Sequence, residues 1–309
     1  MRRKLSFFIF VCLLLCVAES RLAAAQPASD LLGASDRLSL PIQITKGYIF
    51  VEGQALGQSG VFMFDTGTPF PFLLNNHALP LVLDHSLGTG SADSGQLLTL
   101  YRHQEVGPIR LAGTTLGAFG PLNSTDLAFL THMNKGGIRP DILGFAGLPL
   151  VANHEFVLDY DAATIEVFRT SASGDALISH VEPQDVVAKL ALEYQGKGLP
   201  SVALMVEGVA IEGRFDTGTQ GTLTLTATAR DALEKAGRLR PSGQGYVIEG
   251  LICQGVTLSF DTPALQTGAR NSMLLGYNLL RHYRSVWNFQ QKTLTLLQPR
   301  KNASASARL

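Results

Sequence analysis

The chain has 309 residues, 46% of them hydrophobic, and its 25 basic and 25 acidic residues leave a formal net charge of zero. Nothing in that balance suggests a nucleic-acid partner, and the apolar content is enough for the core of one large or two small domains. Three cysteines and scattered histidines show no zinc-ligand spacing, so no metal and no cofactor are expected.

Residues 1–25 have the pattern of a secretory signal. Arg2, Arg3 and Lys4 precede the apolar run from Phe7 to Val17, and Ala23-Ala24-Ala25 offers a small-residue cleavage site before Gln26. The run is short for a transmembrane helix, so no stable membrane insertion is expected after its removal, and the product is exported, periplasmic or secreted. Cleavage removes Arg2, Arg3, Lys4, Arg21 and Glu19, leaving 21 basic (25 − 4) and 24 acidic (25 − 1) residues. It also removes Cys12 and Cys16, so Cys253 is alone and the core must hold the fold without a disulfide.

Short apolar runs bounded by Gly, Pro, Asn or Asp follow: Tyr48–Val51, Val61–Phe64, Leu97–Tyr101, Phe156–Tyr160 and Ile165–Phe168. They predict a mainly β protein. Helices are predicted over Thr226–Ala236, before Gly237, and briefly over Asn278–Tyr283. Ser, Gly, Asp and Pro cluster in Ser171–Asp185, which reads as a linker. The expected organisation is a first lobe over 38–170, the linker 171–185, a second lobe over 186–298 and a tail over 299–309. Trp287 is expected in the second-lobe core, opposite its counterpart Leu158 in the first. Asn123-Ser124-Thr125 fits a glycosylation sequon, which chance explains equally well.

The two-lobe expectation rests on a repeat. Asp65-Thr66-Gly67-Thr68 recurs as Asp216-Thr217-Gly218-Thr219, each after an apolar run ending in Phe. Four further landmarks match in order: Val51-Glu52-Gly53 with Val206-Glu207-Gly208, Ile142-Leu143-Gly144 with Leu274-Leu275-Gly276, Val157 to Tyr160 with Val286 to Phe289, and Thr164 to Phe168 with Thr293 to Leu297. This is an internal duplication with a lobe-sized period.

A carboxylate at the end of a buried strand, followed by a hydroxyl and a glycine, sits in a tight turn. Two such turns face to face would share one proton and activate a water between Asp65 and Asp216. Gly67 and Gly218 let backbone amides approach the carboxylates, and Thr66 and Thr217 can bond across the two-fold axis. Thr68 and Thr219 are placed to donate to an Asp oxygen. The pair titrates as a unit.

These residues resemble the pepsin-like and, more broadly, the retropepsin-like aspartic proteases, over nearly the whole mature chain. The specific parts are Phe64 to Thr68 with Asp141 to Phe145, and Phe215 to Thr219 with Leu274 to Gly276; Leu279 to Trp287 is similar to the closing segment of the second lobe. The resemblance implies a bilobed, mainly β fold of two pseudo-two-fold-related lobes with few short helices. It implies catalytic Asp65 and Asp216 and hydrolysis of a peptide or unfolded protein substrate by a monomer.

The hairpin that covers the cleft in that family departs here. Gly88-Thr89-Gly90-Ser91 is present, but Leu87 stands where the family has a tyrosine; Tyr101 is the alternative hydroxyl. Leu87, Gly88, Thr89 and Gly90 are the expected substrate-facing residues. The competing expectation is a non-catalytic protein that binds a peptide or a protein on this scaffold, with the altered flap, without cutting it.

Overall fold

The computed structural model describes residues 31–91, 96–116, 120–130, 133, 141–194, 198–219, 223–242, 245–247, 251–259, 265–268 and 273–300. The signal-like segment 1–25, Ser94-Gly95 and residues 301–309 lie outside them.

The protein is mainly β and bilobed, and its described residues form one sheet of 15 strands and one of nine. The nine-stranded sheet is built entirely from the second half, between Ser201 and Leu275. The larger sheet gathers strands from both halves. Toward one end of it Glu155–Asp159 pairs antiparallel with Arg284–Asn288, and Val157 lies opposite Val286. Those two valines are equivalent in the duplication, so the pseudo-two-fold axis passes between them. Outside this pair lie Thr164–Phe168 and Arg37–Thr45 on the first-half side, and Thr293–Leu297 and Val186–Ala191 on the other.

Burial explains the sequence signature of each strand. In Gln58–Asp65 the last six residues are all buried, so the strand appears in the sequence as an unbroken apolar run. Its counterpart Val209–Phe215 alternates, with one face in the core and one toward solvent. Both are entered through two-residue hairpin turns, Leu56-Gly57 at φ 50° and 78° and Glu207-Gly208 at φ 50° and 82°. Such turns need left-handed backbone at both positions, which explains the glycine.

These turns correct one landmark of the duplication. Glu207-Gly208 corresponds to Leu56-Gly57, not to Glu52-Gly53, which lies inside the strand Tyr48–Ala55. A second landmark moves too. Leu275 pairs with Phe215 and Ala146 with Phe64, so Gly276 corresponds to Gly147, not to Gly144. Gly147 and Gly276 are 129 apart (276 − 147), the same separation as Val157 from Val286 and Thr164 from Thr293. Gly144 instead sits at a bulge with φ 152°, where its backbone presses on that of Leu73 and Leu74.

The helix Ala227–Lys235 forms where predicted. Thr226 caps it, its hydroxyl accepting from the Ala229 amide at 3.2 Å, and Gly237 follows at φ 66°. Tyr277–Leu280 forms one short turn of helix after Gly276.

Trp287 is fully buried, but in the core shared by the halves and not in that of the second lobe alone. It stacks on Phe156 of the first half at 5.8 Å and meets Phe215 edge-on at 5.3 Å, while Phe156 meets Phe64 edge-on at 5.9 Å. Phe64 and Phe215 each immediately precede an Asp of the repeat. One aromatic chain therefore links the floors of the two Asp turns, and each contact adds about 0.5–1.5 kcal/mol beyond its buried area.

The segment 171–185 is docked on the part of the larger sheet where the two halves meet. Ala176 and Val181 pack on Val157, Phe168, Val286 and Leu297, and His180 stacks on Phe168 at 3.8 Å. His180 Nε2 lies 3.0 Å from Glu155 Oε1. The tail begins attached as well, with Arg300 Nε 3.2 Å from Asp159 Oδ2.

Candidate active site

Asp65 ends one strand, Asp216 directly follows the equivalent strand, and both are fully buried. In the first turn the Gly67 amide donates to Asp65 Oδ1 at 2.8 Å and the Thr68 hydroxyl donates to Asp65 Oδ2 at 2.8 Å. In the second the Gly218 amide donates to Asp216 Oδ1 at 2.7 Å. Asp216 Oδ2 and Thr219 Oγ1 are buried and make no hydrogen bond with the described residues.

The turns are locked together by a reciprocal pair of bonds. The Thr66 amide donates to Thr217 Oγ1 at 3.0 Å, and the Thr217 amide donates to Thr66 Oγ1 at 3.0 Å. Thr217 Oγ1 also donates to the Phe64 carbonyl at 3.2 Å. These bonds straddle the same pseudo-two-fold relation as Val157 and Val286. They bring together carboxylates that are 151 positions apart in the chain.

The glycines are required by space and not by unusual φ. A Cβ at Gly67 would lie 3.0 Å from Asp65 Oδ1 and 3.3 Å from both Asp216 oxygens. A Cβ at Gly218 would overlap the Asp65 carboxylate and lie 3.1 Å from Asp216 Oδ1. Each glycine thus touches both carboxylates, which shows that the two acids flank a single point. Gly147 and Gly276 close the turns from the other side: a Cβ at Gly147 would strike the Thr68 and Phe70 carbonyls, and one at Gly276 would strike Thr219.

Burial pushes both acids up from the ordinary 3.8, Asp65 to about 6 and Asp216 to about 7. Desolvation is the main cause in each. The Thr68 hydroxyl and the Gly67 amide pull Asp65 back, whereas only the Gly218 amide acts on Asp216. The proton held by the pair is therefore favoured on Asp216.

Leu87 and Gly88-Thr89-Gly90 lie on the strand Ser86–Ser91, which pairs antiparallel with Leu97–His103. The register breaks between Ser86 and Gly88, so Leu87 occupies an irregularity opposite Tyr101 and Leu100. It packs, half-buried, on the same core group as Phe70, two residues beyond Thr68. That core group contains Phe50, Met63 and Phe145, capped by Leu98 and Leu100 of the hairpin.

Two other features are structural. Asn123, Ser124 and Thr125 are buried in a strand, so the sequon is closed to a glycosylating enzyme in the folded chain. A cavity of about 220 Å³ lies between Asn75–Ala78, Leu127, Leu130 and Asp141–Ile142, away from the two acids. Its polar wall is satisfied internally, since Asn75 donates to the Ile142 carbonyl and accepts from the His77 and Leu127 amides.

The sequence reading did not single out Gly147 or the Phe156–Trp287 contact. The constant separation of 129 residues was the available signal for the first; the second needed the pairing of strands across the axis.

No family model matches the chain, and no curated protein matches it. Among solved structures it is similar to the basic 7S globulin from soybean, with a TM-score of 0.50 and 12% identity over 85% of this chain and 95% of that one. That likeness agrees with a bilobed, mainly β fold of the pepsin-like type.

Proposed function

We propose that the chain is an exported aspartic endopeptidase, a monomer in which Asp65 and Asp216 share a water and a proton to hydrolyse peptide bonds. The observation that carries this reading is the pair of buried carboxylates flanking one point, held by the reciprocal Thr66–Thr217 bonds. Asp65, the better stabilised as a carboxylate, takes a proton from the water as its oxygen attacks the substrate carbonyl carbon. Asp216 gives its proton to the carbonyl oxygen, forming a gem-diol. Collapse returns a diol proton to Asp216, and the proton on Asp65 passes to the leaving amine. Both acids are fully buried, which keeps their shared proton in a low-dielectric setting.

The test is cleavage of unfolded casein from acid to neutral pH. Asp65→Asn and Asp216→Asn should each lower turnover by about 10³-fold or more, and a statine-type transition-state mimic should block the parent. If both variants cleave as well as the parent, the mechanism is wrong. A second reading, a peptide-binding protein without turnover, draws on Leu87 in place of a hydroxyl; tight binding with no new chain termini would favour it.

A further inference from the structure

The strand leading to Asp216 carries a cation, the half-buried Arg214, with no hydrogen bond or ion pair among the described residues. It lies two residues before Asp216, about 7 Å along the strand. The raised Asp216 carboxyl is explained by burial against the Gly218 amide, with no part played by Arg214.

The duplication shows what is unusual. Arg214 corresponds to Met63, its neighbour Ser201 to Phe50, and its neighbour Leu274 to Phe145, through the registers Ser201–Arg214–Leu274 and Phe50–Met63–Phe145. In the first half the trio is fully buried under Leu98 and Leu100 of the hairpin. In the second half a hydroxyl and a guanidinium replace two of the three apolar side chains. Ala203, Met205, Ala210 and Glu212 on the same strand face are exposed. Glu212, two residues earlier on that face, attracts Arg214 through its charge but makes no contact ion pair with it. A half-buried guanidinium is costly unless something pairs with it, and its five donors suit a carboxylate.

We propose that Arg214, with Ser201 beside it, receives an acidic side chain of the peptide next to the scissile bond. This rests on the reading of Asp65 and Asp216 as the catalytic pair. It makes the substrate a peptide with Asp or Glu close to the cleavage point. Leu274 and Leu199 form the apolar shelf along which the acidic residue's stem can lie.

Two measurements on the full-length mature protein test it. In the first, otherwise identical peptides carry Glu or Gln at each of the two positions on either side of the scissile bond. At one position kcat/KM should favour Glu by about 10-fold or more, and the preference should shrink with added salt. Arg214→Met should abolish the Glu/Gln ratio and Arg214→Lys should keep part of it. The second measures binding of the same Glu and Gln peptides to Asp65→Asn by calorimetry, with and without Arg214→Met, and does not depend on turnover. Equal affinity for the Glu and Gln peptides, or a Glu preference that survives Arg214→Met, overturns the proposal. Loss of all cleavage with the Glu preference in binding intact would instead overturn the catalytic reading alone.

Discussion

The two Asp turns are identical in their four residues and unlike in their surroundings. Asp65 accepts from an amide and a hydroxyl, while Asp216 accepts from one amide and keeps one oxygen, like the Thr219 hydroxyl, without a hydrogen bond among the described residues. The strand before Asp65 is buried on both faces; the strand before Asp216 leaves one face half-open, with Arg214 on it. A duplication supplies two acids at one point, and divergence around them gives the two carboxylates different hydrogen-bond donors.

The largest effect should come from breaking what the halves share. Trp287→Ala removes the ring that joins Phe156 to Phe215 and should cost about 3–5 kcal/mol in denaturant unfolding. Leu158→Ala, its counterpart, lacks the aromatic contacts and should cost less.

The glycines come next. Gly218→Ala drives a methyl into the Asp65 carboxylate, whereas Gly67→Ala meets only contacts of 3.0 Å and longer. Cleavage should fall by about 10²-fold in the first and by clearly less in the second.

The proton asymmetry has a pH signature. Activity needs one proton on the pair, so kcat/KM should peak between about 6 and about 7 and fall on both sides. Thr68→Val removes a donor to Asp65 and should move the acid limb upward; Thr219→Val should move it little. Stability follows the same sign. Both pKa values are raised on folding, so the native state binds these protons more tightly. Their contribution is complete below 3.8 and is lost as pH rises through about 6 and about 7. Asp216→Asn should therefore raise Tm relative to the parent more at pH 8 than at pH 4.

The smallest changes test parts that only one half possesses. Thr226→Ala should cost about 1 kcal/mol by uncapping the second-half helix. Leu87→Tyr adds a hydroxyl to the first-half hairpin and should raise kcat by less than about 10-fold, read from the same casein assay.

The twin tetrads, the β content, the capped helix and the two-lobe duplication were legible because each depends on local chemistry: a turn after an apolar strand, a threonine cap, a glycine stop. Two landmarks were misplaced because short patterns such as Glu-Gly and Ile-Leu-Gly recur by chance, and only hydrogen-bond register tells a turn from a strand interior. The aromatic chain through Phe156 and Trp287 was hidden because it joins strands from opposite halves. By itself the sequence determined that the chain carries two equivalent acid turns on buried strands. Only the tertiary structure decided that they flank one point, that Thr68 acts on Asp65 without a matching bond at Asp216, and that Arg214 makes no hydrogen bond or ion pair among the described residues. Those outcomes depend on desolvation and on contacts between residues far apart in the chain.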